Sequence, residues 1–262
     1  MYTLKEILEK TSKNEIGVAE AEKLVKLLAI AEVENMARID ANREFRKGIP
    51  EVILAEGKAT ALLVEVSLRM LSENGRVIIS RCGEEQIRAV SKVVPKDATV
   101  QIHEKAKMIV IRKKGFTVQS TGGKIGLLTA GTSDIPVAEE ARTIAQEMGC
   151  KVFAAYDLGV AGIHRLLQPL KDLIIKDVDV IIVVAGREGA LASVVAGIVD
   201  VPVIAVPTSN SCGFGGKGLS ALMAMLQSCS LGLAVVNIDG GVAAGAVATL
   251  IANRAAKSRN CP

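Results

Sequence analysis

The chain has 262 residues, room for one or two domains, and half of them are apolar against 23% charged, so a large core is available and intrinsic disorder is excluded. Two Tyr, four Phe and no Trp leave few rings on which to stack bases, and a net charge of only +4 offers no polyanion-binding tail. No apolar run reaches the ~18 residues of a membrane helix. The opening MYTLKEILEKTSKNE lacks the apolar core of a secretory signal. Five cysteines, at 82, 150, 212, 229 and 261, form no CxxC pair and fit a reducing cytoplasm. The expectation is a soluble cytoplasmic protein with neither nucleic-acid nor membrane partner.

Residues 1–35 read as helical, with Leu4, Ile7 and Leu8 and then Val18, Ala21, Leu24, Val25 and Leu28 at helical spacing. Asp40, Arg43 and Arg46 follow three apart, which places them on one face of a continuing helix. Gly48 and Pro50 stop that helix, and Glu51–Ala55 reads as a strand ending at Glu56-Gly57-Lys58. A helix over 60–71, a strand over 75–80, a helix over 84–94 and a strand over 106–112 come next. The polar, Gly-rich stretch 113–124 then marks a boundary. It divides a smaller N-terminal α/β domain (1–120) from a second domain (121–262).

From 125 the pattern is regular. Apolar strands at 125–130, 151–156, 178–186, 201–207 and 232–239 alternate with helices at 136–148, 163–176, 189–199 and 217–230, and a small-residue helix closes the chain. Continuous apolar strands alternating with helices indicate a parallel sheet covered on both faces, a three-layer flavodoxin-like arrangement. Ligands of such sheets sit outside the carboxyl ends of the strands, which makes the strand-end residues the candidates.

Gly131-Thr132-Ser133-Asp134 leads from strand to helix and suits either phosphate or an ordinary capped junction. His164 and Arg165 could supply a proton shuttle and an anion clamp, or a helix-start His held by backbone. The other histidine, His103, reads as a surface residue. Glu188 stands between Gly186-Arg187 and Gly189 after a buried strand, as an acid/base or as a second cap. Cys229 sits at a helix C-terminus among apolar neighbours, where a buried structural role is the plainer reading and the helix dipole does not lower a thiol pKa.

Taken together these motifs resemble the superfamily of aminoimidazole ribonucleotide carboxylases and mutases. Its GSxSD loop resembles Gly131–Asp134, its SAHR loop Gly162–Arg165, its AGGAAHLPGMVA segment Ala185–Val194, and its LPVIGVP strand Val201–Pro207. The whole chain looks closer still to the LarB-type enzymes of nickel-pincer nucleotide biosynthesis. Their D-x-x-R-x-x-R-x-G-x-P-E pattern, followed by G-K, is matched by Asp40, Arg43, Arg46, Gly48, Pro50, Glu51 and Gly57-Lys58. Their YDVGVAGIHR, EGALxSVV and MLxSC segments are matched at 156–165, 188–195 and 225–229.

The resemblance implies a carboxylase–hydrolase that converts nicotinic acid adenine dinucleotide and CO2 or bicarbonate to pyridinium-3,5-biscarboxylate mononucleotide and AMP. It implies Cys229 as nucleophile, with Asp157 and Glu188 as acid/base groups and His164 beside them. Gly131, Thr132, Ser133, Asp134, Arg165 and Gly186 would hold the nucleotide, and Arg43, Arg46 and Lys58 would reach it from the N-terminal domain. It further implies a homo-octamer, with no tightly bound cofactor and no metal ligand beyond Mg²⁺ carried by the substrate pyrophosphate. One departure stands out: the family's Tyr-containing TSVGYGASFGG loop is here Thr208–Gly216, with Cys212 at the aromatic position. That leaves the exact nucleotide open and makes Cys212 a rival thiol. The alternatives are an aminoimidazole ribonucleotide carboxylase or mutase working through His164, and a non-catalytic nucleotide-binding regulator.

Overall fold

The computed structural model describes residues 4–31, 44 and 47–259. Asp40, Arg43 and Arg46 lie outside the described residues. The helical start is two helices, α1 (Leu4–Ser12) and α2 (Val18–Ala31), parted around Gly17. Gly48 adopts φ +68 and donates its N–H to the Glu44 carbonyl at 2.7 Å, which closes a helical turn just before Pro50.

A four-stranded sheet follows, built from β1 (Val52–Leu54), β2 (Arg76–Ser80), β3 (Ala98–His103) and β4 (Met108–Lys113) in the order β1-β2-β4-β3. β1 and β2 run parallel, while β4 is antiparallel to both of its neighbours. Helices α3 (Thr60–Asn74) and α4 (Glu84–Val93) cover one face, where Val77, Ile79, Ile109 and Ile111 pack with Leu63, Met70, Leu71 and Val90. The sequence reading passed over β3. Ala98, Val100 and Ile102 do alternate with polar residues, but the strand is a half-exposed edge and its signal is correspondingly weak.

The second sheet has five strands, all parallel, in the order β6-β5-β7-β8-β9. They are β5 (Lys124–Thr129), β6 (Lys151–Ala155), β7 (Val180–Ala185), β8 (Val203–Pro207) and β9 (Leu233–Val235). Helices α5 (Ile135–Glu147) and α9 (Gly241–Arg259) cover one face through Ala138, Ala141, Ala145, Ala244, Ala248 and Ala252. On the other face lie α6 (His164–Ile175), α7 (Ala190–Ala196) and α8 (Leu219–Leu226). The chain is therefore α/β, a flavodoxin-like three-layer domain behind a smaller α/β domain. β7 and β8 are buried along their whole length, which is why they read as unbroken apolar runs. The small residues of α9 serve a contact within the chain. A Cβ on Gly245 would lie 2.5 Å from the Ala141 carbonyl oxygen, so α9 and α5 approach closely only because it is absent.

The free face of the first sheet rests on the second domain. Ile78, Met108 and Val110 pack against Ile144, Met148 and Ala246. Beside them the Arg76 guanidinium, 4% exposed, meets the equally buried Glu147 carboxylate at 3.3 Å, and Arg112 bonds the same carboxylate. His103, expected at the surface, lies half-buried in this seam with Nδ1 at 3.5 Å from Thr143 Oγ1. Desolvation there pushes its pKa below the usual value.

Candidate active site

In the order β6-β5-β7-β8-β9, the chain moves outward from β5 to β6 and then returns across β5 to β7. The topological switch point lies between β5 and β7, where open α/β sheets place their ligands. A cleft of about 360 Å³ opens there. It is lined by Gly131, Ser133 and Asp134 after β5, Gly159 after β6, Gly186 to Glu188 after β7, and Asn210 after β8.

Three of these loops are tied together at its floor. Asp134 is buried, and its carboxylate accepts the Gly131 N–H at 2.9 Å and the Thr208 hydroxyl at 2.7 Å. Asp134 closes a short 3₁₀ turn over Thr132–Asp134, and no side-chain hydrogen bond from it caps α5. Gly186 lies against this bond, for a Cβ on it would stand 2.7 Å from Thr208 Oγ1. Asn210 Nδ2 donates to the Ser133 carbonyl at 2.6 Å. Sequence reasoning marked the 208–216 loop but not these two ties. Neither has a local signature, because both partners are about 75 residues apart in the chain.

Above this floor the groups are open. Asp157 holds φ +60, with its N–H donated to Thr129 Oγ1 at 3.0 Å. Its carboxylate accepts Arg165 Nη1 at 2.7 Å, and both side chains are roughly half exposed. An exposed pair of this kind is worth at most about 1 kcal/mol, so a bound anion can take the place of Asp157 on Arg165. Arg165 lies across Gly162, where a Cβ would stand 2.8 Å from Nε. Arg187, at φ +54, and Glu188 are exposed at the cleft wall ahead of Gly189. Glu188 therefore shares one cleft with the 131–134 loop, where a carboxylate can serve as an acid or a base toward a bound ligand. His164 is exposed at the start of α6, and neither it nor Thr132, Asp157 or Arg165 is among the residues that line the cleft; Asp157 and Arg165 stand beside its Gly159 wall.

The thiols divide. Burial pushes Cys82 up to about 12 and raises Cys150 as well, so neither is a nucleophile. Cys212 is exposed in the loop after β8, on the cleft's edge of the sheet. Cys229 is exposed too, but it lies beyond the end of α8 in the loop that enters β9. A residue just ahead of a parallel strand is at the amino edge. Its neighbours Ser228 and Ser230 bond to Ser193 of α7, and the eight-residue α8 alone descends about 12 Å from the cleft edge. Within one chain Cys229 is thus not brought to Glu188 and Asp157. Lys58 is exposed on the turn after β1 and outside the cleft lining.

Residues 124–260 match the AIR carboxylase family model, and residues 30–114 match the model of the LarB/PurE-like N-terminal domain. An uncharacterised protein of Methanocaldococcus jannaschii is 45% identical over 253 residues, which span 95% of this chain and 96% of that protein. The N5-carboxyaminoimidazole ribonucleotide mutase of Thermotoga maritima is 29% identical over 133 residues, 49% of this chain and 74% of the mutase. That of Pyrococcus horikoshii is 29% identical over 52% of this chain and 76% of its own length.

Proposed function

We propose a reaction on one premise: the chain belongs to the AIR carboxylase family, with a LarB/PurE-like N-terminal domain ahead of its carboxylase half. Membership supports a carboxylase-type enzyme with a nucleotide substrate. The finer reading is a carboxylase–hydrolase of nicotinic acid adenine dinucleotide, which yields pyridinium-3,5-biscarboxylate mononucleotide and AMP. The observation that carries it is the exposed Glu188 carboxylate in one cleft with the Gly131–Asp134 loop. The loop holds ribose and phosphate, and Arg165 turns from Asp157 to an anionic group of the substrate.

Carbon 5 of a pyridinium is electron-poor and does not attack CO2. A thiolate that adds to carbon 4 breaks the aromaticity and makes carbon 5 an enamine carbon, which takes up CO2. Glu188 or Asp157 then removes the carbon 5 proton, and the ring rearomatises as the thiolate leaves. Water cleaves the phosphoanhydride. A Mg²⁺ ion would arrive with the pyrophosphate as its counter-ion. We assign the thiol to Cys229 of a neighbouring copy in a homo-oligomer, since Cys229 and the cleft of one chain stand on opposite edges of the sheet. Leu226 and Leu231, 65% and 91% exposed, flank that cysteine and suit such a contact.

A second reading has that separation in its favour: a direct nucleotide carboxylase or mutase that uses no thiol. The purified protein is to be incubated with labelled bicarbonate and either nicotinic acid adenine dinucleotide or aminoimidazole ribonucleotide. Label in a pyridinium mononucleotide together with AMP is the expected result. Label only in the imidazole product would refute the first reading and establish the second.

A further inference from the structure

We propose that the cavity between the two domains is a binding site for a nucleoside 5′-monophosphate. Its role as the seat of the second half of a dinucleotide rests on the reading above; its capacity for the monophosphate alone does not.

The cavity holds about 430 Å³, within the ~300–1,000 Å³ usual for small-molecule sites. Its walls are apolar and come from different domains, Pro50 and Leu54 from around β1 and Val242, Ala243 and Ala246 from α9. Two apolar walls with polar groups gathered elsewhere suit a flat ring that carries a hydrophilic tail.

The polar groups are Ser80, Arg81, Glu140 and Asp239. Glu140 is committed: it accepts the Ser80 hydroxyl and the Val242 N–H, and the Arg81 Nε stands 3.9 Å from its carboxylate. Asp239 is only half committed. One carboxylate oxygen accepts the Ser209 N–H at 2.9 Å, and the other has no hydrogen-bond donor among the described residues. A spare carboxylate oxygen beside a ring slot is the acceptor that ribose hydroxyls use. Arg81 donates to the Asp239 carbonyl at 2.7 Å and to the exposed Glu56 at 3.1 Å, which leaves N–H groups for a phosphate.

Arg81 and Asp239 both hold left-handed backbone, φ +55 and +54. A β-strand end that turns an Arg this way is uncommon, and here it brings the two facing polar groups of the cavity together. The site also lies where such ligands belong, because the carboxyl ends of the parallel pair β1 and β2 face the carboxyl-edge loop that carries Asp239. Residues 208–210 separate this cavity from the cleft: Ser209 is bonded to Asp239 on one side, and Asn210 lines the cleft on the other. A pyrophosphate crossing that strip joins the two halves of one substrate.

The test is calorimetric titration of the full-length protein with AMP and, separately, with nicotinate mononucleotide. Ala243→Phe fills the slot from α9. Leu54→Trp fills it from β1 at a side chain already 44% exposed, so the fold survives that change. We expect saturable AMP binding to the unaltered protein, weakened about tenfold or more by each variant, with nicotinate mononucleotide binding unchanged. Equal AMP affinity in the Leu54→Trp protein, or no saturable AMP binding to the unaltered chain, overturns the assignment. AMP binding lost in the variants, without any carboxylation of the dinucleotide, would sustain this site and sink the reaction proposed above.

Discussion

Replacing Gly186 with Ala should cost both stability and turnover, and the cost follows from three atoms. The new Cβ would stand 2.7 Å from Thr208 Oγ1 and 3.5 Å from Asp134 Oδ1. Thr208 is fully buried and β-branched, so it has no flexible end to swing aside. Moving its hydroxyl breaks the 2.7 Å bond to Asp134, a carboxylate only 3% exposed. Loss of a hydrogen bond to a buried charge costs about 1.5–3 kcal/mol. Overpacking costs about 1–3 kcal/mol, and part of that strain is relieved by the same broken bond. A total near 3 kcal/mol lowers the melting temperature by about 6–12 °C in a chain of this size. Displacement of the 131–134 and 208–210 loops by up to about 1 Å lowers kcat/KM by about 100-fold. Thermal melts and the labelled-bicarbonate assay read the two effects. Thr208→Ala removes the clashing atom, so the double variant should be less destabilised than the sum of the singles by about 1 kcal/mol or more. A Gly186→Ala protein that melts within about 1 °C of the parent and turns over normally would refute the reasoning, since a tie worth that little falls below the weakest net hydrogen bond.

Three further outcomes are expected. Glu147→Ala removes the buried carboxylate that Arg76 and Arg112 share and leaves Arg76 only its 2.7 Å bond to the half-exposed Glu44, so it should cost about 1.5–3 kcal/mol in urea unfolding; a loss below about 0.5 kcal/mol would remove this ion pair from the forces that hold the seam. Cys229→Ser and Glu188→Gln should each abolish carboxylation alone, whereas assemblies refolded from a mixture should regain part of it, because some clefts then pair an intact Glu188 with a neighbour's intact thiol; no recovery on mixing rules out delivery between copies. His103 has its native pKa held below 6.5 by burial, so the unfolded chain binds the proton more tightly, and this contribution to stability is present above 6.5 and lost as pH falls through the window beneath it. Urea midpoints measured from pH 7.5 down to 5 should therefore fall less steeply in His103→Gln, and parallel slopes in the two proteins would exclude His103 as the titrating group.

What the sequence disclosed depended on how each feature is encoded. The second sheet was legible because strands buried on both faces become unbroken apolar runs, and Val180–Ala185 is such a run, with Gly186 after it to mark its end. The cleft loops were legible for the same reason, as strand ends. β3 was not, since an edge strand buries only every second side chain and weakly. The ties from Thr208 and Asn210 join residues far apart in the chain, and no local pattern announces them. Cys229 shows a different shortfall. Its position just before a strand was read correctly, yet that position itself implies the amino edge, away from the ligand. His103 looked exposed because its hairpin is polar. The surface that buries it belongs to α5, which comes some 40 residues later.

The alternation along β2 and β4 has a consequence for how the molecule can move. Val77 and Ile79 point into the small domain's own helices, while Ile78 and its neighbours Met108 and Val110 point into the large one. The smaller half therefore owns only one side of its core and borrows the other, and pulling the halves apart would bare a full sheet face to water. Such a seam does not act as a hinge. Amide exchange should report a single cooperative unit across it, and residues 121–262 expressed alone should be prone to aggregate. Whatever opens to admit a ligand must be smaller than a domain, and the glycine-rich turn from Ser211 to Gly216, beyond the ties of residues 208–210, is the piece of the rim light enough to do so.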